Sequence, residues 1–580
     1  MRRSTLIEAV LVTAGSFVVT GWAWSPAVKG LRTSVPVNLG DPLYFAWQLA
    51  WVSHAAASDA PLWTTNAFHG TPGNLAFTDA ILGYAPLGLV ARALGTVGQA
   101  AALVQLNLAG LLATVLAVVG AYALARAMGA GRAGSLVAGA GFGYAPWRLE
   151  QVIHVNVVST GGMALALALL ARGHGWSMRK GHDPERASRG WVLAGWAVAC
   201  WQISVSLAIG VPFAYALVVV SLVSAAGWLR AGRPPLGVGA QARKVLVADG
   251  VGGLALLAVT VLIVRPYLTV IATYPEAKRT AAYLPLFSPP FRGLFTSPST
   301  DRWWGVRQAS LREGLAWTPE MVLLPGFILI GLALAGVFYS AWRRTWRISL
   351  AVVTVATALL SLGTTVAGGQ YTYLPLFNHL PGWNGLRTPG RLIIWVTLAL
   401  CLLAAGFVDA VVRAARARIR IGPERRDLNV GPALLVGVCA VLLPVLIVLE
   451  GRGNVPYWQV AEQPIALARL PQPVLVLPTD QIADYHIMVW STQGWPRLVN
   501  GGTGFEPNFQ AAMRKEAQAF PSLDAADALR RRGVATVVVV PSRARGTPWE
   551  QATQAATPAG VKRTDYPDAV VYDLRSPVTG

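Results

Sequence analysis

The 580-residue chain is 54% hydrophobic and only 13% charged, with 22 tryptophans, a composition too apolar to cover a folded surface in water. Its formal net charge of +21 is gathered in short Lys/Arg clusters between long apolar runs, so it reads as membrane topology and excludes nucleic acid as a partner. Cys200, Cys401 and Cys439 all fall inside apolar runs, which excludes a disulfide framework or a CxxC metal site and leaves them as inert packing residues.

Met1-Arg2-Arg3 followed by the apolar stretch Leu6 to Trp22 predicts an uncleaved first span with a cytoplasmic N-terminus. Apolar runs long enough to cross a bilayer lie near 5–23, 101–126, 133–148, 153–172, 190–207, 209–229, 245–264, 321–342, 347–366, 389–412 and 431–449, about eleven transmembrane helices. The connections Arg126 to Arg132, Arg172 to Arg189, Arg230 to Lys244, Arg343 to Arg347 and Arg413 to Arg426 are all Arg/Lys-rich and fall on one side, the cytoplasmic one. His174 and His182 then lie in a solvated cytoplasmic loop. Counting Ala80 to Gly95 as a further span would move those basic loops outside. That short segment is therefore expected to lie on or dip into the outer leaflet, within a first external loop from 24 to 100. A second external loop runs from 265 to 320. After the last span, Val474 to Leu477 reads as a buried strand, Leu523 to Arg532 as a helix, and Val534 to Val540 and Ala569 to Leu574 as strands. The expected division is a transmembrane domain, 1–450, and a C-terminal extracytoplasmic α/β domain, 451–580.

Candidate chemistry concentrates in the first external loop. Asn38-Leu39-Gly40-Asp41-Pro42 opens a helix whose Tyr44, Trp47, Trp51 and His54 share one face, a stripe suited to the headgroup zone. Asp41 before Pro42 is also a standard helix start in which the carboxylate caps free amides, and Asp79 before Ala80 invites the same reading. His154 follows Trp147-Arg148-Leu149-Glu150-Gln151 at an expected outer boundary, where it either faces a cavity or anchors the interface. Arg265-Pro266-Tyr267, Asp301-Arg302-Trp303-Trp304 and Arg307 set guanidinium groups beside aromatics, as a phosphate or sugar grip or as an aromatic belt with ordinary loop charges. Gly501-Gly502-Thr503-Gly504 lacks the Gly-Lys-Ser/Thr of a phosphate loop and reads as a turn-rich loop. No HExxH or GxSxG occurs, which leaves no metalloprotease or serine hydrolase reading.

A short cytoplasmic N-terminus, one span, a large external loop with an early Asp and then a bundle with basic inner loops resembles the GT-C superfamily of integral membrane glycosyltransferases. Leu380-Pro381-Gly382-Trp383-Asn384-Gly385-Leu386-Arg387-Thr388-Pro389-Gly390-Arg391, Met488-Val489-Trp490-Ser491-Thr492 and Arg497-Leu498-Val499-Asn500-Gly501-Gly502-Thr503-Gly504-Phe505 resemble segments of uncharacterised bacterial members, including the YfhO-like group. The resemblance implies a polytopic α-helical protein of the bacterial plasma (inner) membrane. Its implied reaction moves a sugar from a polyprenyl-phosphate carrier to an extracytoplasmic glycan, lipid or protein acceptor of the cell envelope. Asp41 would be the general base, ionised at neutral pH as an ordinary Asp is. Asp79, His54 and His154 would surround the acceptor, and Arg265, Arg302, Arg307, Arg387 and Arg391 would bind the lipid phosphate. A divalent cation, Mg or Mn, would be held by Asp41 and Asp79 if present. Two other readings stand beside this one. A lipid or glycolipid transporter of flippase type predicts functional charges deep within spans. A noncatalytic envelope-assembly protein predicts a retained fold in which Asp41 does nothing measurable.

Overall fold

The computed structural model describes residues 3–230, 240–421 and 430–575. Parts of the basic connections Arg230 to Lys244 and Arg413 to Arg426 therefore lie outside the described residues. Among those described, seven helices are long and apolar enough to cross a membrane: Ser4–Ala23, Gly98–Met128, Val155–Gly173, Leu207–Gly227, Arg243–Thr273, Pro389–Arg418 and Gly431–Glu450. The chain is thus a mostly helical, multi-pass membrane protein. Four other expected spans form shorter helices: Arg132–Gly143 (12 residues), Arg189–Val205 (17), Phe327–Phe338 (12) and Arg344–Ser361 (18). A 12-residue helix rises only about 18 Å, short of the roughly 30 Å hydrocarbon core. Composition continues apolar beyond these ends, but the backbone does not: Arg132–Gly143 stops at Tyr144, and Phe327–Phe338 starts only after Gly326, whose φ is +114°.

The chain packs as two compact units. The first comprises 1–25, 110–261 and 279–455. Its centre is the span Pro389–Arg418, 89% buried, whereas Leu207–Gly227 and Arg243–Thr273 are only 22% buried and turn most of their apolar surface outward, as lipid-facing helices do. Small residues bring helices onto the central span: a Cβ at Gly134 would stand 2.5 Å from the Ala405 carbonyl oxygen, and one at Gly336 would stand 2.3 Å from that of Leu403. Such close backbone approach is how packing replaces the hydrophobic effect between membrane helices.

The second unit comprises 26–109, 262–278 and 456–580. The C-terminal segment and the first loop share it, because Ser34–Pro36 pairs antiparallel with Tyr457–Gln459 and helix Asp41–Ala55 packs against helix Gln481–Trp490. A four-stranded sheet runs in the order Val474–Leu477, Thr536–Val539, Ala569–Asp573, Lys562–Tyr566. Its first pair is parallel and the other two antiparallel. Leu475, Leu477, Val537, Val539 and Tyr572 from one face of the sheet bury against Phe520, Leu529 and Trp549.

Candidate functional site

In the second unit the first-loop helix Asp41–Ala55 is buried on almost all sides, from Pro42 to Ser53. The aromatic stripe expected in the headgroup zone is therefore protein core: Tyr44, Trp47 and Trp51 are 6%, 1% and 4% exposed. Asp41 is the first helical residue, after Gly40, and no side chain caps that terminus. Gly40 instead donates its N–H to Asn38 Oδ1 at 2.9 Å. The negative charge of Asp41 at the positive end of the helix dipole is electrostatically favoured.

Asp41, Tyr44 and Gln48 follow one another by three and four residues, so they line one stripe of the helix. Gln48 Nε2 donates to the Tyr44 hydroxyl (3.3 Å) and to the main-chain oxygen of Asp79 (3.1 Å). Next to Asp79, the Ala80 N–H donates to the Tyr267 hydroxyl at 2.8 Å, and the Tyr44 ring lies 5.3 Å from that of Tyr485. Burial, then Tyr485, Tyr267, Asp79 and Asp41, hold the Tyr44 hydroxyl well above the usual phenol range. Asp79 does not start a helix, since Leu82–Tyr84 begins after Ile81 with no side-chain cap.

The glycine-rich loop read from sequence as turn-rich braces this region. Thr503 Oγ1 donates to the Phe77 carbonyl at 3.1 Å, two residues before Asp79, and Gln481 Nε2 donates to the Thr503 carbonyl. The loop is anchored on Asp484, fully buried, which accepts from Thr479 Oγ1 (2.9 Å), Asn500 Nδ2 (2.8 Å), Gly501 N (3.1 Å) and Arg514 Nη2 (2.7 Å). His54 lies away from the carboxylates, about 20 Å along the helix from Asp41 at 1.5 Å per residue. There it stacks on Trp495 (4.8 Å, 21°), and burial followed by Arg92 lowers its pKa. Arg265 is exposed on the helix Arg243–Thr273.

In the first unit a second cluster surrounds Glu320, which is 2% exposed. Arg391 reaches it with Nε (3.1 and 3.2 Å to the two oxygens) and Nη2 (2.5 Å). Gln151 Nε2 donates to it at 3.2 Å, and His154 Nδ1, 2.9 Å from Gln151 Oε1, stands 4.0 Å from Glu320 Oε1. Burial pushes the Glu320 carboxyl up, but Arg391 above all, with His154 and Gln151, outweighs it and holds the group below the usual carboxylate range. Gly390 permits this pairing, because a Cβ there would stand 2.4 Å from the Glu320 carbonyl oxygen. Arg391 also lines a cleft with Thr388, Tyr373, Ile209, Pro212 and Trp395. Arg387 lies over the Phe287 ring at 4.9 Å. Arg302 donates to Asn454 Oδ1 at 2.8 Å, and Arg307 to the Trp303 carbonyl. The arginines expected to bind one phosphate are thus engaged by separate partners.

Among the described residues no three His, Cys, Asp or Glu side chains converge as a metal site. Glu320, Gln48 and Asp484 were not singled out in the sequence, and Tyr267 was read only as an aromatic beside Arg265. For Glu320 a signal existed, an ionisable residue abutting the apolar run 321–342. The others depend on long-range packing.

No family model and no curated protein sequence matches the chain. Among solved structures, the arabinofuranosyltransferase AftD from Mycobacteria superposes with a TM-score of 0.57 at 14% identity over 98% of this chain. The chain spans 42% of AftD's length. The oligosaccharyltransferase AglB from Archaeoglobus fulgidus, solved with an inhibitory peptide and a dolichol-phosphate, gives 0.47 at 14% identity, covering 92% of this chain and 69% of AglB. The likeness that carries weight is the one to AftD, and it is a likeness of fold: this chain shares the architecture of that membrane protein.

Proposed function

We propose that the protein is a membrane glycosyltransferase that moves a sugar from a polyprenyl-phosphate carrier to an extracytoplasmic acceptor, with Asp41 as general base. The observation that supports this reading is that Gln48, one stripe along the helix that Asp41 opens, ties Tyr44 to the main chain of Asp79, in a chain that shares its fold over 98% of its length with an arabinofuranosyltransferase. In the reaction an acceptor hydroxyl oxygen forms a bond to the anomeric carbon and its proton passes to the Asp41 carboxylate. The bond from that carbon to the carrier phosphate breaks, and its electron pair leaves on the phosphate. A divalent cation, held by Asp41 and Asp79, would supply charge neutralisation at the phosphate. Arg391, beside an apolar-walled cleft, is suited to an anionic lipid head.

The test is transfer of labelled sugar from a panel of polyprenyl-phosphate donors by the purified protein and by Asp41→Asn in matched membranes. The expected loss in a folded Asp41→Asn protein is about a hundredfold, the size of a general-base contribution. Equal transfer by both proteins would remove Asp41 from the reaction. Transfer by neither, with any donor, would favour the carrier or the noncatalytic assembly role.

A further inference from the structure

Gln48 is a fully buried amide on a helix whose other buried positions, Ser53 apart, are apolar or aromatic. Its two N–H bonds are spent on the Tyr44 hydroxyl and the Asp79 main-chain oxygen, while its Oε1 is buried with no hydrogen-bond partner. The amide cannot be turned round to relieve this, because the Asp79 carbonyl only accepts and would then face another acceptor. The gain from a neutral buried hydrogen bond is offset by the cost of an orphaned acceptor, so the amide adds little net stability where an apolar side chain of the same size would fit. What it does supply is a cross-link from the Asp41 helix to the segment that carries Asp79.

We propose that Gln48 is a positioning residue that fixes the Asp79 segment and the Tyr44 hydroxyl against the Asp41 helix. This rests on the reading of Asp41 and Asp79 as the reacting site. Gln48 touches no reacting atom; it sets the separation of the two carboxylates through Tyr44 and the Asp79 backbone. A site held this way loses rate when the clamp goes, since a displacement of about 1 Å can cost on the order of a hundredfold, while substrate binding elsewhere is untouched.

The experiment compares the full-length protein with Gln48→Leu, which keeps the volume and removes both hydrogen bonds, in hydrogen–deuterium exchange of residues 76–84 and in steady-state transfer. Faster exchange across that segment, a kcat lowered about 10- to 100-fold, and donor and acceptor KM and melting temperature at wild-type levels are expected. A purely structural amide would lower the melting temperature and leave kcat per folded molecule unchanged, and that result, or unchanged exchange over 76–84, overturns the proposal. If Gln48→Leu does not fold, Tyr44→Phe cuts one end of the clamp with no change of shape and is read by the same criteria. Wild-type protein inactive with every donor would overturn the transferase reading, whereas the exchange comparison still decides whether Gln48 holds the Asp79 segment.

Discussion

The Glu320–Arg391 pair separates a structural from a binding role for the arginine most suited to a lipid phosphate. Arg391→Ala leaves Glu320, 2% exposed, as an uncompensated buried charge, with Gln151 Nε2 at 3.2 Å and His154 at 4.0 Å as its remaining polar neighbours. Breaking a buried pair in this way costs about 3–5 kcal/mol, a fall in melting temperature of roughly 4–7 °C for a unit of this size. Lost transfer by that variant would therefore say nothing about phosphate. Glu320→Gln/Arg391→Met removes both charges at once and keeps both volumes, so its stability should return to within about 1–2 kcal/mol of wild type. The assay is thermal unfolding of detergent-solubilised protein, followed by transfer at a temperature where all variants are folded. If Arg391 serves the carrier phosphate, the double variant melts near wild type yet its donor KM rises at least about tenfold, the loss of one charge-assisted contact. A double variant that melts as low as Arg391→Ala would refute the buried-pair argument. One that melts normally and transfers normally would make Arg391 purely structural.

Three further outcomes follow from the same geometry. His486 is buried and held down to about 4, chiefly by burial and then by Arg543, with its Nε2 at 3.1 Å from the Ala461 carbonyl. The unfolded state then binds the extra proton first, so stability is complete above pH 6.5 and is lost as pH falls towards 4. The loss approaches about 3 kcal/mol; unfolding of wild type against His486→Gln over that range should show the slope in wild type and not in the variant. Asp484→Asn strips the charge from the anchor of the glycine-rich loop and leaves Arg514 with Glu506 as its remaining ion-pair partner, a cost at or below the lower end of about 3–5 kcal/mol, and Asp484→Asn/Arg514→Met should recover most of it in the same melt. Gly390→Ala forces a Cβ to 2.4 Å from the Glu320 carbonyl oxygen; it should lower the melting temperature and, by moving Arg391, raise donor KM beyond what that instability explains.

The long apolar spans were legible because a bilayer dictates length and composition, two properties written locally in the chain. The C-terminal strands and helix were legible for a similar reason: Val474–Leu477, Thr536–Val539 and Ala569–Asp573 are short apolar runs bounded by turn residues. Where span lengths differ, as at Arg132–Gly143 and Phe327–Phe338, hydropathy continued past the point at which the helix ends. Composition does not report that. The aromatic stripe of the first-loop helix shows the same limit more sharply. Tyr44, Trp47 and Trp51 have the chemistry of an interfacial belt, yet they are buried, Tyr44 against Tyr485 and Trp51 against Trp495, each more than 400 residues along the chain.

That separation also explains what could be read of the site. Asp41 was visible because Gly-Asp-Pro marks a helix start whatever packs on it, and Asp79 because it stands in a polar break between apolar runs. Their relation was not visible, since it passes through Gln48, through Tyr267 of a distant helix, and through Thr503, whose bond to the Phe77 carbonyl depends on the Asp484 anchor. Residues that act through hydrogen bonds to main-chain oxygens carry no sequence signature, because every residue supplies that oxygen. The proposed Asp41 and Asp79 site is therefore expected to be sensitive to substitutions at Gln48, Thr503 and Asp484 that touch neither carboxylate, and Thr503→Val, which removes one hydroxyl and keeps the shape, should speed exchange at 76–84 and lower kcat in the same sense as Gln48→Leu.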